Sequence, residues 1–221
     1  KYGETFEGRT RFLLNTVEKI KDRLGKDFIV TTRMNIYDAY AYPYGWGVDK
    51  NDPSKYDLTE PIELIKILYE KGVRMVNLTM GNPYYNPHVN RPYDKGGYIP
   101  DEHPLEGVAR MVNGIGEIQK AVKGMAVVGT GYSWLRQFSA NLAAGTLENG
   151  LATVIGYGRE SFAYPDFARD IMEQGSLDKN KCCIACGKCT ELMRAGSTPG
   201  CIIRDSKVYA PLYKQYVANK L

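Results

Sequence analysis

Four cysteines carry the most specific chemistry in the sequence: Cys183, Cys186, Cys189 and Cys201, spaced x2, x2 and x11. A cubane iron–sulfur cluster presents four iron corners and takes four thiolates, three from a tight loop and a fourth returning from elsewhere. Structural zinc is the rival, although it more often takes paired C-x2-C knuckles than three evenly spaced cysteines. All five cysteines of the chain lie between Cys182 and Cys201. A disulfide framework would spread them along the chain and would not leave an odd one. The grouping therefore points to a metal or cluster site in a reducing cytoplasm. Cys182, beside a ligand, reads as packing rather than as a fifth ligand. Lys181 and Lys188 read as surface lysines, with softening of a tetrathiolate charge as the alternative.

Two glycine-bearing turns could bind an anion: Gly129-Thr130-Gly131 and Gly156-Tyr157-Gly158-Arg159. Glycines let backbone N–H groups close on a phosphate, helix N-termini add a favourable dipole, and an arginine can complete the clamp. Neither is a Walker loop or a full dinucleotide fingerprint. Arg33 follows an apolar run and would put a guanidinium at a catalytic rim. His88, in Asn86-Pro87-His88, could donate a proton or anchor substrate, against a solvated loop histidine as the plainer reading. His103, before Pro104, reads as a helix-entry residue. Tyr37, Tyr40, Tyr42, Tyr44 and Trp46 could stack on a planar group or simply pack a loop. No Ser-His-Asp set or carboxylate pair can be argued.

Hydrophobic periodicity supplies the elements that must position these residues. Phe12, Leu13, Thr16, Val17, Ile20 and Leu24 fall at helical spacing before Gly25. A strand is expected over Phe28–Thr32, a helix from Thr59 with Pro61 in its first turn, and a strand over Val73–Thr79. A loop without an obvious element, roughly Met80–Pro104, leads to a helix bearing Val108, Val112, Ile115, Ile118 and Val122. A third strand over Met125–Val128, a helix through Trp134, Phe138 and Leu142 to Gly150, and a fourth strand over Leu151–Ile155 follow. Strand, loop and helix repeated about four times predict parallel βα units, with short unalternating runs suited to a sheet buried on both faces. From Asp178 the composition changes, and the expected division is residues 1–177 and 178–221.

The chain has 221 residues, 43% hydrophobic and 24% charged, with a formal net charge of +4. That suits a globular protein and offers no block of like charge for nucleic acid or a membrane surface. No apolar run reaches spanning length and no signal-peptide pattern opens the chain. The first residue is Lys1, so the gene product is expected to begin further upstream.

Three stretches resemble the Old Yellow Enzyme family. Residues Tyr2 to Phe12 resemble its Tyr-Gly-Gly-Ser-x-Glu-Asn-Arg-x-Arg-Phe segment, with Gly8 in place of the asparagine. Thr32-Arg33-Met34-Asn35 resembles its fifth-strand Val-Arg-Leu-Ser. Residues Gly158 to Asp166 resemble Gly-Arg-Pro-x-x-Ala-Asp-Pro-Asp, with Tyr164 in place of an aspartate. The cysteine segment is similar to that of the iron–sulfur branch, the 2,4-dienoyl-CoA reductase, 2-enoate reductase and trimethylamine dehydrogenase group.

The resemblance implies an α/β chain: the C-terminal half, strands 5 to 8, of a TIM (βα)8 barrel holding FMN, with a cysteine-rich 4Fe–4S tail. Arg33 would sit by flavin N1 and O2; amides of Gly129, Thr130, Gly131, Gly158 and Arg159 would hold the phosphate; NAD(P)H would supply hydride for an activated alkene or similar small substrate. The first four strands have no counterpart. A missing N-terminal half-barrel or a second copy, in a homo-oligomer, is the expected partner, and the isolated chain is expected to be inactive. The alternatives are a zinc-stabilised α/β enzyme acting on a phosphorylated metabolite and a non-catalytic half-barrel fragment.

Overall fold

A computed structural model describes residues 2–218. Helix α1 (Phe6–Leu24) starts where Thr5 accepts the Gly8 N–H at 3.1 Å and stops at Gly25, whose φ of 90° no L residue adopts easily. Gly8 packs against the Gly3 carbonyl, and a Cβ there would lie 2.1 Å from that oxygen. This approach explains why glycine replaces the expected asparagine.

The strands β1 (Thr32–Asn35), β2 (Met75–Thr79), β3 (Ala126–Gly129) and β4 (Val154–Ile155) form one parallel sheet in the order β1-β2-β3-β4. Helix α2 (Thr59–Glu70) links β1 to β2, and α4 (Pro104–Ala121) links β2 to β3. A 3₁₀ segment (Tyr132–Phe138) and α5 (Ser139–Glu148) link β3 to β4. The expected βα alternation is present. β2 and β4 are shorter than their expected runs, β3 is displaced by one residue, and β1 shares only Thr32 with the strand expected over Phe28–Thr32. Phe28 and Ile29, expected in the first strand, precede it and are 50% and 82% exposed. The loop expected over Met80–Pro104 contains the short helix α3 (Pro87–Asn90). The helix expected through Trp134 is broken at Arg136, where φ is 52°.

Side chains alternate across the sheet. Val76, Leu78 and Val127 are fully buried in one core with Ile65 and Leu68 of α2 and Met111, Ile115 and Ile118 of α4. The opposite face carries Arg33, Asn77, Val128 and Val154 in one register row. Arg33 and Val154 of that row are exposed, as is Met75 two residues before Asn77. Helices α2 and α4 thus pack one face, while the other is mixed, with Thr79 and Val128 buried and Arg33, Met75 and Val154 exposed, where both faces were expected to be buried.

The chain divides into two compact units. The first runs to Arg91 and includes Gly107–Gly131 and Thr146–Gly156, hence the whole sheet. The second takes Pro92–Glu106, Tyr132–Gly145 and the chain from Tyr157 on. It contains α6 (Glu160–Ala163), α7 (Phe167–Gln174), α8 (Lys188–Arg194) and α9 (Ser206–Tyr216). The Trp134 indole N–H donates to Asp94 at 2.9 Å, and His103 caps α4 by accepting the Leu105 N–H at 3.2 Å. Among the described residues no helix is long and apolar enough to cross a membrane.

Candidate functional site

In the second unit, Cys183, Cys186, Cys189 and Cys201 line one narrow cavity with Arg159, Lys188 and Arg204. The turns that fold this loop are left-handed at Ala185 (φ 56°) and Gly187 (φ 77°), and α8 begins at Lys188, so that Cys189 lies in its first turn. Cys201 follows Gly200, whose missing side chain makes room for the Tyr209 ring of α9: a Cβ would meet Tyr209 Cζ at 2.1 Å. The Tyr213 hydroxyl of α9 donates to Glu191 of α8, fastening the two helices that flank the thiols.

Two sulfurs already accept backbone hydrogen bonds, Cys183 from Ala185 at 3.4 Å and Cys201 from Arg204 at 3.3 Å. Such bonds favour the thiolate that a metal requires. Burial pushes the Cys183 thiol up, while the Ala185 N–H and the Arg159 charge act the other way. The donor set is therefore four thiols with a cationic rim, which suits an anionic tetrathiolate group. Among the described residues, no group of three or more His, Cys, Asp or Glu side chains is placed to hold a metal ion.

Cys182 is fully buried against Tyr164 and Leu177, and burial pushes its thiol up to about 11. Lys181, read from sequence as a surface lysine, reaches Asp170 at 3.3 Å and lies 4.9 Å from the centre of the Tyr164 ring. Tyr164 in turn donates its hydroxyl to Asp170. The residue that departs from the family pattern thus anchors a buried carboxylate beside the cysteine loop. Sequence reasoning missed Glu160, which is fully buried and accepts the Cys183 N–H on both carboxylate oxygens, at 3.1 and 3.2 Å. Burial pushes its carboxyl up, opposed by the Cys183 amide. Nothing in the Glu-Ser-Phe-Ala run of residues 160–163 marks it, since its partner lies 23 residues on.

In the first unit, Arg33 lies within β1 rather than beyond it, and its guanidinium donates to Asn77 at 3.0 Å on the partly exposed sheet face. Gly129 ends β3, and its carbonyl accepts the Gly156 N–H at 2.7 Å. The Thr130 hydroxyl donates to the Leu78 carbonyl at 2.8 Å, which leaves a ligand-binding role to its backbone. Gly131 adopts φ 109° against Met111. His88 is half-buried on α3. Of the aromatic loop, Tyr37 is buried and donates to the Pro53 carbonyl at 2.7 Å, whereas Tyr44 is 83% exposed. Gly158 and Arg159 belong to the second unit, where the Gly158 carbonyl accepts from Ser161 and the Arg159 side chain faces the thiol cavity.

Residues 1–178 match the model of the NADH:flavin oxidoreductase / NADH oxidase family. The chain belongs to that family. Among its relatives are a cinnamate reductase of Clostridium sporogenes, 26% identical over 93% of this chain and 29% of its own, and a dimethylamine dehydrogenase of Hyphomicrobium, 26% identical over 90% and 23%. An NADH oxidase of Thermoanaerobacter brockii is 23% identical over 100% of this chain and 30% of its own. The structure of 6-hydroxypseudooxynicotine amine oxidase from Pseudomonas geniculata superposes with a TM-score of 0.63 at 19% identity, covering 95% of this chain and 27% of that one. The chain thus spans under a third of the length of these relatives. The family takes its description from NADH:flavin oxidoreductases and NADH oxidases.

Proposed function

We propose that this chain is the C-terminal half of an FMN barrel, strands 5 to 8, followed by a 4Fe–4S segment. On this reading it forms part of an oxidoreductase that passes hydride from NAD(P)H to an activated alkene or a similar small substrate. The observation that carries the cluster is the sharing of one cavity by four thiols at x2, x2, x11 spacing. The half-barrel is supported by the exposure of Arg33, Met75 and Val154 on one sheet face, since all-parallel sheets are ordinarily covered on both faces. The remaining strands, in a longer chain or a partner, would cover it. A relative named for cinnamate reduction favours an alkene; one named for dimethylamine makes an amine the second reading.

When bound, FMN supplies hydride transfer and the cluster single-electron transfer. The residues of this chain would position both. The Arg33 guanidinium supplies positive charge against the reduced flavin. Backbone N–H groups of Gly129, Thr130 and Gly131 are proposed donors to the FMN phosphate, as are those of Gly158 and Arg159 in their own unit. His88 is the proposed proton donor or substrate anchor. The four cysteines hold the cluster, and Arg159, Lys188 and Arg204 offset its negative charge.

Anaerobic purification of the full-length protein, with iron, sulfide, zinc and flavin analysis and a visible spectrum, tests this reading. About four irons and four sulfides per chain with one FMN are expected. Stoichiometric zinc without iron would overturn the cluster, and turnover with NAD(P)H by the isolated 221-residue chain would overturn the half-barrel.

A further inference from the structure

Glu160 has no place in the chemistry proposed above, yet it is a fully buried carboxylate. Such a group is costly to bury unless hydrogen-bonded and partly neutralised. Its bonds run to the cysteine loop, with the Cys183 N–H shared between both oxygens, and the charges of Arg204 and Arg159 lie nearby. The loop it meets is strained, with Ala185 in the left-handed region at φ 56°. Arg204 braces the same loop by donating its Nε–H to the Cys182 carbonyl at 3.1 Å.

We infer that Glu160 is a positioning residue for the thiol site: its carboxylate clamps the Cys183 amide and holds the strained turn in the form that presents the first thiol to the cavity. The inference rests on the metal-binding reading of the four cysteines, and its test separates the two.

The test uses the full 221-residue chain as wild type, E160A and E160Q. Amide hydrogen exchange at Cys183 is measured first on the metal-free proteins. Loss of a hydrogen bond to a charged acceptor should speed exchange in E160A by about tenfold or more, while the Gln oxygen of E160Q keeps it within about threefold of wild type. Each protein is then reconstituted anaerobically with ferrous iron and sulfide. E160A is expected to hold less than about half the wild-type iron, with recovery in E160Q. Exchange in E160A at the wild-type rate, or faster exchange with undiminished iron, would overturn the inference. If the wild type takes zinc in place of iron, the cluster reading fails while the exchange rates still decide the role of Glu160. Should E160A fold poorly, E160M fills similar volume without a comparable acceptor and is read in the same way.

Discussion

The Arg33 guanidinium and the Asn77 carboxamide are paired at 3.0 Å on adjacent strands, side by side in register, on the sheet face opposite the core formed with α2 and α4. A charged group in that position adds little to folding, since the hydrogen bond is made in solvent. Arg33→Ala should therefore leave the urea unfolding free energy within about 0.5 kcal/mol of wild type. Where the remaining strands of the proposed barrel are supplied, the same substitution should weaken FMN binding about tenfold or more, because a flavin placed there loses a charge-assisted donor. Denaturation curves and FMN fluorescence titration check the two halves. A large loss of stability with unchanged flavin affinity would make Arg33 structural.

Tyr164 and Asp170 tie the second unit together. The Tyr164 hydroxyl holds the Asp170 carboxyl below its ordinary range, against burial and with help from Lys181. A carboxyl depressed on folding stabilises the protein above its unfolded value, ordinarily 3.8, and loses that contribution as pH falls through the folded value. Asp170→Asn should be less stable than wild type at neutral pH, and the gap should narrow as pH drops below about 4. Tyr164→Phe should cost about 1–3 kcal/mol at pH 7 by leaving the buried carboxylate a donor short. Urea unfolding followed across pH checks both.

The repeat of apolar runs was legible because Val76, Leu78 and Val127 face one core and recur between amphipathic helices. Strand ends were not, because the ladder depends on a neighbour that periodicity does not contain. Phe28, Ile29 and Val30 are all β-prone yet lie outside the strand. The cysteine grouping was readable since four thiols at short spacing stand out in any sequence, and the structure brings them to one cavity. Glu160 and Asp170 were not, because their roles come from partners 23 and 6 residues distant, reached through folding alone. Lys181 likewise looks like any surface lysine until Asp170 is placed beside it.

Gly200 is the residue on which the placement of Cys201 turns. A methyl group there would lie 2.1–2.4 Å from the Tyr209 ring, so either the ring or the cysteine must move. Gly200→Ala should destabilise the second unit by about 1–3 kcal/mol, the usual cost of overpacking. It should also lower the iron retained after reconstitution. Adding Tyr209→Ala should recover part of the iron by vacating the space, even if the docking of α9 suffers. Thermal melting and iron analysis of the single and double variants distinguish steric displacement of Cys201 from a general loss of folding.

Cys182 and Cys186 offer the sharpest contrast between neighbouring thiols. Cys182 is fully buried with Tyr164 and Leu177, and its sulfur lies 3.3 Å from the Asp178 carbonyl, whereas Cys186 opens onto the shared cavity. Cys182→Ala should keep the wild-type iron and sulfide content and lose about 1–2 kcal/mol of stability, the scale of a small buried deletion. Cys186→Ala should do the reverse, with near-normal stability in the metal-free chain and loss of most of the iron. Metal analysis beside metal-free unfolding curves decides the assignment. Retention of full iron and sulfide by Cys186→Ala would remove it from the ligand set, and loss of iron from Cys182→Ala without loss of stability would put Cys182 in its place.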